Sequence, residues 1–117
     1  LPHAPAHAVC RRECSGTNGL LTLEFAAGIA DPDMERVIDA LRLFGIGASW
    51  GGFESLVIPV NLAKARSRPV APHGAMLRLH IGLEDPDDLI ADLEQAFGQL
   101  RPVLAALNSH SPDSLRI

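Results

Sequence analysis

The stretch Met76-Leu77-Arg78-Leu79-His80-Ile81-Gly82-Leu83-Glu84-Asp85-Pro86 decides the fold of this chain. Its first six residues alternate, so Leu77, Leu79 and Ile81 point to one face of a strand and Met76, Arg78 and His80 to the other. Directly afterwards, Asp85-Pro86 opens a helix with a capping carboxylate and then a residue whose missing N–H costs nothing at the first helical position. Asp87 and Asp88 add negative charge to the first turn, where the helix dipole favours it. A half-buried strand therefore feeds a helix, and Arg78 leaves the core side. Its planar fork of donors suits a carboxylate, which it can grip with two parallel hydrogen bonds. Alternation leaves two partners open: the carboxylate of a ligand, or a nearby acidic side chain.

Downstream of this stretch, Leu89, Ile90, Leu93, Ala96, Phe97 and Leu100 form an apolar helical stripe that runs to Pro102, and Val103, Leu104 and Leu107 suit a further turn. Upstream, Asp31-Pro32 repeats the helix opening, and Met34, Val37, Ile38 and Leu41 follow at i, i+3, i+4 and i+7. Leu20 to Phe25 reads as a first strand, ended by Gly28. Gly45 to Ser49 reads as a short strand entering the Gly51-Gly52 turn, and Leu56 to Ile58 as another, closed by Pro59. Residues 61–75, with Pro69, Pro72, Gly74 and three basic residues, suit a surface loop. The order strand, helix, strand, strand, strand, helix predicts an α+β fold: a small, mainly antiparallel sheet with helices packed on one face. Residues 1–18 read as an irregular lead-in, with Pro2, Pro5 and a turn-like Ser15-Gly16-Thr17-Asn18-Gly19, and residues 19–117 as the domain itself.

At 117 residues and 47% hydrophobic composition, the chain suits one domain with a packed core. Its apolar runs are far shorter than the roughly 18–20 residues of a membrane span. The first residues lack the basic region and apolar block of a signal peptide, so a soluble, cytoplasmic protein is expected. A net charge of -4 and only 4% aromatic residues argue against nucleic-acid binding. His3, His7, Cys10 and Cys14 form the pattern H-x3-H-x2-C-x3-C. Zinc sites usually draw their ligands from two turns separated by a longer spacer, so the preferred reading is a solvated segment with incidental thiols and no metal. A disulfide is disfavoured in the cytosolic setting expected.

Ser49-Trp50-Gly51-Gly52-Phe53-Glu54-Ser55-Leu56, Leu77 to Asp85, and Asp87-Asp88-Leu89-Ile90-Ala91-Asp92-Leu93 together resemble the C-terminal domain of the Cys/Met-metabolism pyridoxal-phosphate enzymes, most closely their cystathionine β-lyase branch. The likeness covers roughly residues 3–100. It includes Ser15-Gly16-Thr17-Asn18-Gly19-Leu20, similar to the family's entry into its first C-terminal strand. It implies a fold-type-I enzyme in which residues 19–117 are a substrate-recognition domain closing over a cofactor held by a larger N-terminal domain. Arg78 matches the arginine that binds the substrate α-carboxylate, and Ser49 and Trp50 match neighbours that complete the pocket. Relatives acting at Cγ usually carry leucine where Trp50 stands, so the resemblance favours β-elimination from a thioether amino acid. For cystathionine the products would be homocysteine, pyruvate and ammonia, a step of trans-sulfuration and methionine biosynthesis. Family relatives assemble as tetramers, which implies a homo-oligomer.

The same chain limits that implication. A Schiff base needs a lysine amine, and the one lysine, Lys64, sits in the Pro-rich loop without resemblance to the family's cofactor-lysine motif. There is no tyrosine to stack on a pyridine ring. No covalent pyridoxal phosphate and no catalysis by this chain alone are therefore expected, and its start in mid-loop without methionine reads as a piece of a longer polypeptide. Cys10 and Cys14 stand where relatives tend to carry large aromatic side chains, and residues 61–75 depart from the family's usual appearance, which leaves side-chain preference open. His80 is expected to make a structural hydrogen bond, and Glu54 and Glu84 to brace turns. Two alternatives stand beside this reading: a stand-alone α+β amino-acid-binding or regulatory module that dimerises through its sheet, and a related γ-lyase or γ-synthase. A domain made to pack on a larger partner should also expose an apolar patch and self-associate.

Overall fold

The computed structural model describes residues 6–62, 67 and 74–109, and so excludes His3 and Lys64. Four strands, β1 (Leu20–Glu24), β2 (Gly45–Ile46), β3 (Leu56–Pro59) and β4 (Met76–His80), form one sheet in the order β1-β4-β3-β2. The central strand β4 pairs antiparallel with both β1 and β3, whereas β2 pairs parallel with β3. Parallel neighbours cannot be joined by a tight hairpin, so the chain must travel back before starting β3. That return path is residues 47–55, the segment carrying Ser49, Trp50 and the glycine pair.

Helices α2 (Asp31–Ala40) and α3 (Pro86–Phe97) cover the face of β4 that carries Leu77 and Leu79. Met34, Val37 and Ile38 of α2, Leu89 and Ala96 of α3, and Val57 of β3 are buried against those leucines, with Phe44 and Leu100 closing the ends. Ile90 belongs to the predicted stripe but is 53% exposed, since it lies off the inward arc defined by Leu89, Leu93 and Ala96. Phe25 and Phe97 meet edge to face at 5.6 Å. Asp92, buried on α3, accepts the N–H groups of Arg42 and Leu43 at 2.8–3.0 Å and ties the turn after α2 to α3.

Both helix openings form with Pro in the first turn. Asp85 caps α3, accepting the Asp87 N–H at 2.9 Å. At α2 the cap is Ala30, one residue before Asp31, and Asp33 reaches back to accept the Ala30 N–H at 2.8 Å. After α3 a 3-10 turn, Gly98–Leu100, leads into α4 (Arg101–Ser109), where Pro102 occupies a first-turn position that needs no donor.

Two further expectations are corrected. The lead-in 1–18 is not irregular throughout, because residues His7–Glu13 form a short helix, α1. Pro2 and Pro5 precede its first turn, and His7 to Glu13 contains neither Pro nor Gly to break it. The strand expected over Gly45–Ser49 is only two residues long. The Gly47 N–H still reaches the Val57 carbonyl at 3.3 Å, after which the chain departs on its return path.

Candidate functional site

The register settles which residues share the open sheet face. Arg78 stands between Thr22 of β1 and Ile58 of β3, and His80 between Leu20 and Leu56. Half-buried between its neighbours, Arg78 turns its guanidinium toward the return path, where Nη2 donates to the Ala48 carbonyl at 2.5 Å. The site residues read from the sequence are thus brought to one place, since Ala48 adjoins Ser49 and Trp50. Among the described residues no carboxylate forms an ion pair with Arg78. Ser49 is exposed, and Trp50 is 66% exposed.

The return path is fastened to the end of β4 at three points. Arg78 holds its start through Ala48. His80, buried beneath the glycine pair, has Nε2 at 3.1 Å from the Gly51 N–H and 3.1 Å from the Gly52 carbonyl. At its end Glu84 accepts the Ser55 N–H at 2.8 Å and the Ser55 hydroxyl at 2.7 Å, while that hydroxyl accepts the Gly82 N–H at 2.9 Å. Leu83 donates to the Phe53 carbonyl at 2.9 Å. The Ser55 backbone N–H, then its hydroxyl, hold the Glu84 carboxyl below its ordinary range, against a smaller opposing effect of burial. The two sequence motifs are the two halves of one hydrogen-bonded junction. His80 makes the structural hydrogen bond expected of it and Glu84 braces its turn, whereas Glu54 is exposed.

Beside the junction lies a cleft of about 370 Å³ lined by Asn18, Gly19, Leu20, Trp50, Gly51 and His80. Sequence reading missed Asn18 and Leu20 as part of this wall. Only the pairing of Leu20 with His80, 60 residues apart along the chain, brings them there. Cys10, within α1, and Cys14, which follows it, are free and exposed. Among the described residues, no group of three or more His, Cys, Asp or Glu could hold a metal ion, and no helix is long and apolar enough to cross a membrane.

The described residues thus present a guanidinium, a hydroxyl and an indole, and they include neither lysine nor tyrosine. That set suits an amino acid's carboxylate, and no covalent anchor for a carbonyl cofactor is among them.

Comparison with known proteins agrees with this architecture. Residues 1–98 match the family model described as Cys/Met metabolism PLP-dependent enzyme. A cystathionine beta-lyase from Bordetella avium is 48% identical over 97 residues, covering 81% of this chain and 24% of the relative. Among solved structures, the metB protein of Corynebacterium glutamicum superposes with a TM-score of 0.68 at 30% identity, over 86% of this chain and 26% of that one. A methionine gamma lyase from Micromonospora echinospora, solved in its apo form, gives 0.63 at 36% identity, over 84% and 26%. The chain spans about a quarter of the length of these relatives. A sheet of this topology, the two joined motifs and these likenesses place the chain in the Cys/Met-metabolism family of pyridoxal-phosphate-dependent enzymes.

Proposed function

We propose that this chain supplies the substrate α-carboxylate site of a longer pyridoxal-phosphate-dependent carbon–sulfur lyase that cleaves cystathionine by β-elimination to homocysteine, pyruvate and ammonia. The observation that carries the reading is the Arg78 guanidinium, reaching the return path beside Ser49 and Trp50 with no carboxylate of the described residues paired to it. A two-pronged grip by Arg78 removes rotation of the substrate about its carboxylate end, which fixes the direction in which the Cα–H bond points. Ser49 offers a hydroxyl beside that carboxylate, and the indole of Trp50 walls the pocket. Bound pyridoxal phosphate supplies the electron sink of the reaction. The substrate is a small thioether amino acid, the remainder of the enzyme provides the cofactor site, and the working assembly is a homo-oligomer.

Trp50 supports elimination at Cβ, whereas the likeness to a methionine gamma lyase favours a second reading, elimination at Cγ. The two differ in products, because cleavage of cystathionine at Cγ releases cysteine and a four-carbon keto acid. The test is to combine this chain with a separately produced N-terminal portion of the enzyme, pyridoxal phosphate and cystathionine, and to assay pyruvate and homocysteine. Release of both supports the β-lyase reading. Release of 2-oxobutyrate and cysteine transfers the assignment to the γ-lyase reading, and binding without turnover favours an amino-acid-binding module.

A further inference from the structure

His80 is 7% exposed, and its ring meets the backbone of the glycine pair instead of another side chain. Its cross-strand neighbours are Leu20 on β1 and Leu56 on β3. Above it the turn has few constraints of its own. Gly51 has φ of +84°, a conformation that glycine adopts without penalty, and an added Cβ would meet nothing within 4 Å at Gly51 or Gly52. Trp50 and Phe53, on either side of the pair, are 66% and 70% exposed and do not anchor it in the core. Between the Ala48 contact and the Ser55 lock, His80 is where this stretch is fastened to the sheet by a side chain.

We propose that His80 is the positioning residue of the carboxylate site: its ring fixes the Gly51-Gly52 backbone over the end of β4, and so sets where Ser49 and Trp50 stand relative to the Arg78 guanidinium. The consequence for substrate rests on the carboxylate-site reading, whereas the hold on the turn does not. Nε2 serves either the Gly51 N–H or the Gly52 carbonyl, according to the tautomer. A glutamine amide carries an acceptor and a donor at similar reach and can replace the ring nitrogen. Phenylalanine keeps a ring of similar volume and removes both contacts.

Trp50 is the only tryptophan, so its emission reports the turn without interference. In the 117-residue chain, His80→Phe should increase quenching of Trp50 by acrylamide and lower its emission anisotropy, with His80→Gln close to wild type and far-UV circular dichroism unchanged for both. In the reconstituted enzyme, His80→Phe should raise KM for cystathionine on the order of tenfold, with a smaller change in kcat and most of the loss recovered by His80→Gln. Should His80→Phe fail to fold, hydrogen exchange of the wild-type chain decides: a protected Gly51 amide, or a protected ring proton on Nε2 held by the Gly52 carbonyl, supports the hold, and rapid exchange of both overturns the proposal. Unchanged quenching and KM in a folded His80→Phe, or equal loosening by His80→Gln, also overturns it. If Arg78→Ala leaves KM untouched while His80→Phe loosens Trp50, the carboxylate reading falls and the hold on the turn stands.

Discussion

The role proposed for Arg78 is that of a side chain nearly neutral for stability and decisive for recognition. Its guanidinium lies on the open face and makes one bond to a carbonyl, so losing it leaves the core of Leu77 and Leu79 untouched. Arg78→Ala should therefore change unfolding free energy by no more than about 1 kcal/mol in a denaturant titration. In the reconstituted enzyme the same change should lower kcat/KM on the order of a hundredfold, and Arg78→Lys should recover only part of that, because an ammonium keeps the charge and loses the fork. Full activity of Arg78→Lys would refute a two-pronged grip. The glycine pair gives a second contrast. Gly51→Ala should cost about 1–2 kcal/mol from its positive φ alone, since its Cβ would clash with nothing, while Gly52→Ala should stay within about 0.5 kcal/mol. Melts of the two variants measure the difference. At this scale the sequence was informative where period-2 alternation speaks: it sent Arg78 and His80 off the core face. It could not show that Ser55, Gly82 and Glu84 bond to one another, because that depends on how residues 27 and 29 positions apart meet.

Elements owe their arrangement to a few ties between distant segments. At the β3–β4 junction, a Cβ on Gly82 would fall on the Phe53 carbonyl and close to the Glu54 backbone, neither of which is a flexible side-chain end. Gly82→Ala should then cost about 1–3 kcal/mol and disturb the motif junction, visible as a lowered melting temperature together with changed Trp50 emission. Between α2 and α3 the tie is Asp92. Burial pushes its carboxyl up, but the N–H groups of Leu43 and Arg42 and the Gln95 amide outweigh that and hold it below the usual aspartate range. A folded-state value below the unfolded one contributes stability above the unfolded value of about 4, and that contribution is lost as pH falls through the folded value. Asp92→Asn should be less stable by about 1–3 kcal/mol at neutral pH. The gap to wild type should close below about pH 4, and Glu84, present in both chains, cancels from the comparison. Denaturant titrations at a series of pH values test this, and a gap independent of pH would remove Asp92 as the charged tie. Apolar periodicity and Asp-Pro openings made α2 and α3 legible. The parallel β2 was not, since two residues carry no period, and neither was α1, which buries no side chain and so leaves no apolar stripe to read.

For the whole molecule, the open question is what its surface is built to meet. Trp50, Phe53 and Leu83 are 66%, 70% and 84% exposed, and the Leu83 N–H donates to the Phe53 carbonyl, which joins the backbones of two of them. Grouped apolar side chains at the rim of a functional site are costly to leave in water, whereas single exposed ones are ordinary. The chain spans about a quarter of the length of its relatives, and this rim belongs to the junction proposed to complete a substrate pocket with the rest of the enzyme. The isolated chain should therefore self-associate in a concentration-dependent way by sedimentation velocity. Phe53→Ser together with Leu83→Ser should shift it toward monomer, and because neither side chain lies in the buried core, the melting temperature should hardly move. Adding the N-terminal portion should suppress self-association of the wild-type chain by covering the same surface. A wild-type chain that sediments as a monomer at every concentration would mean that the rim tolerates water, and that these side chains serve the pocket's shape and not the joining of two polypeptides.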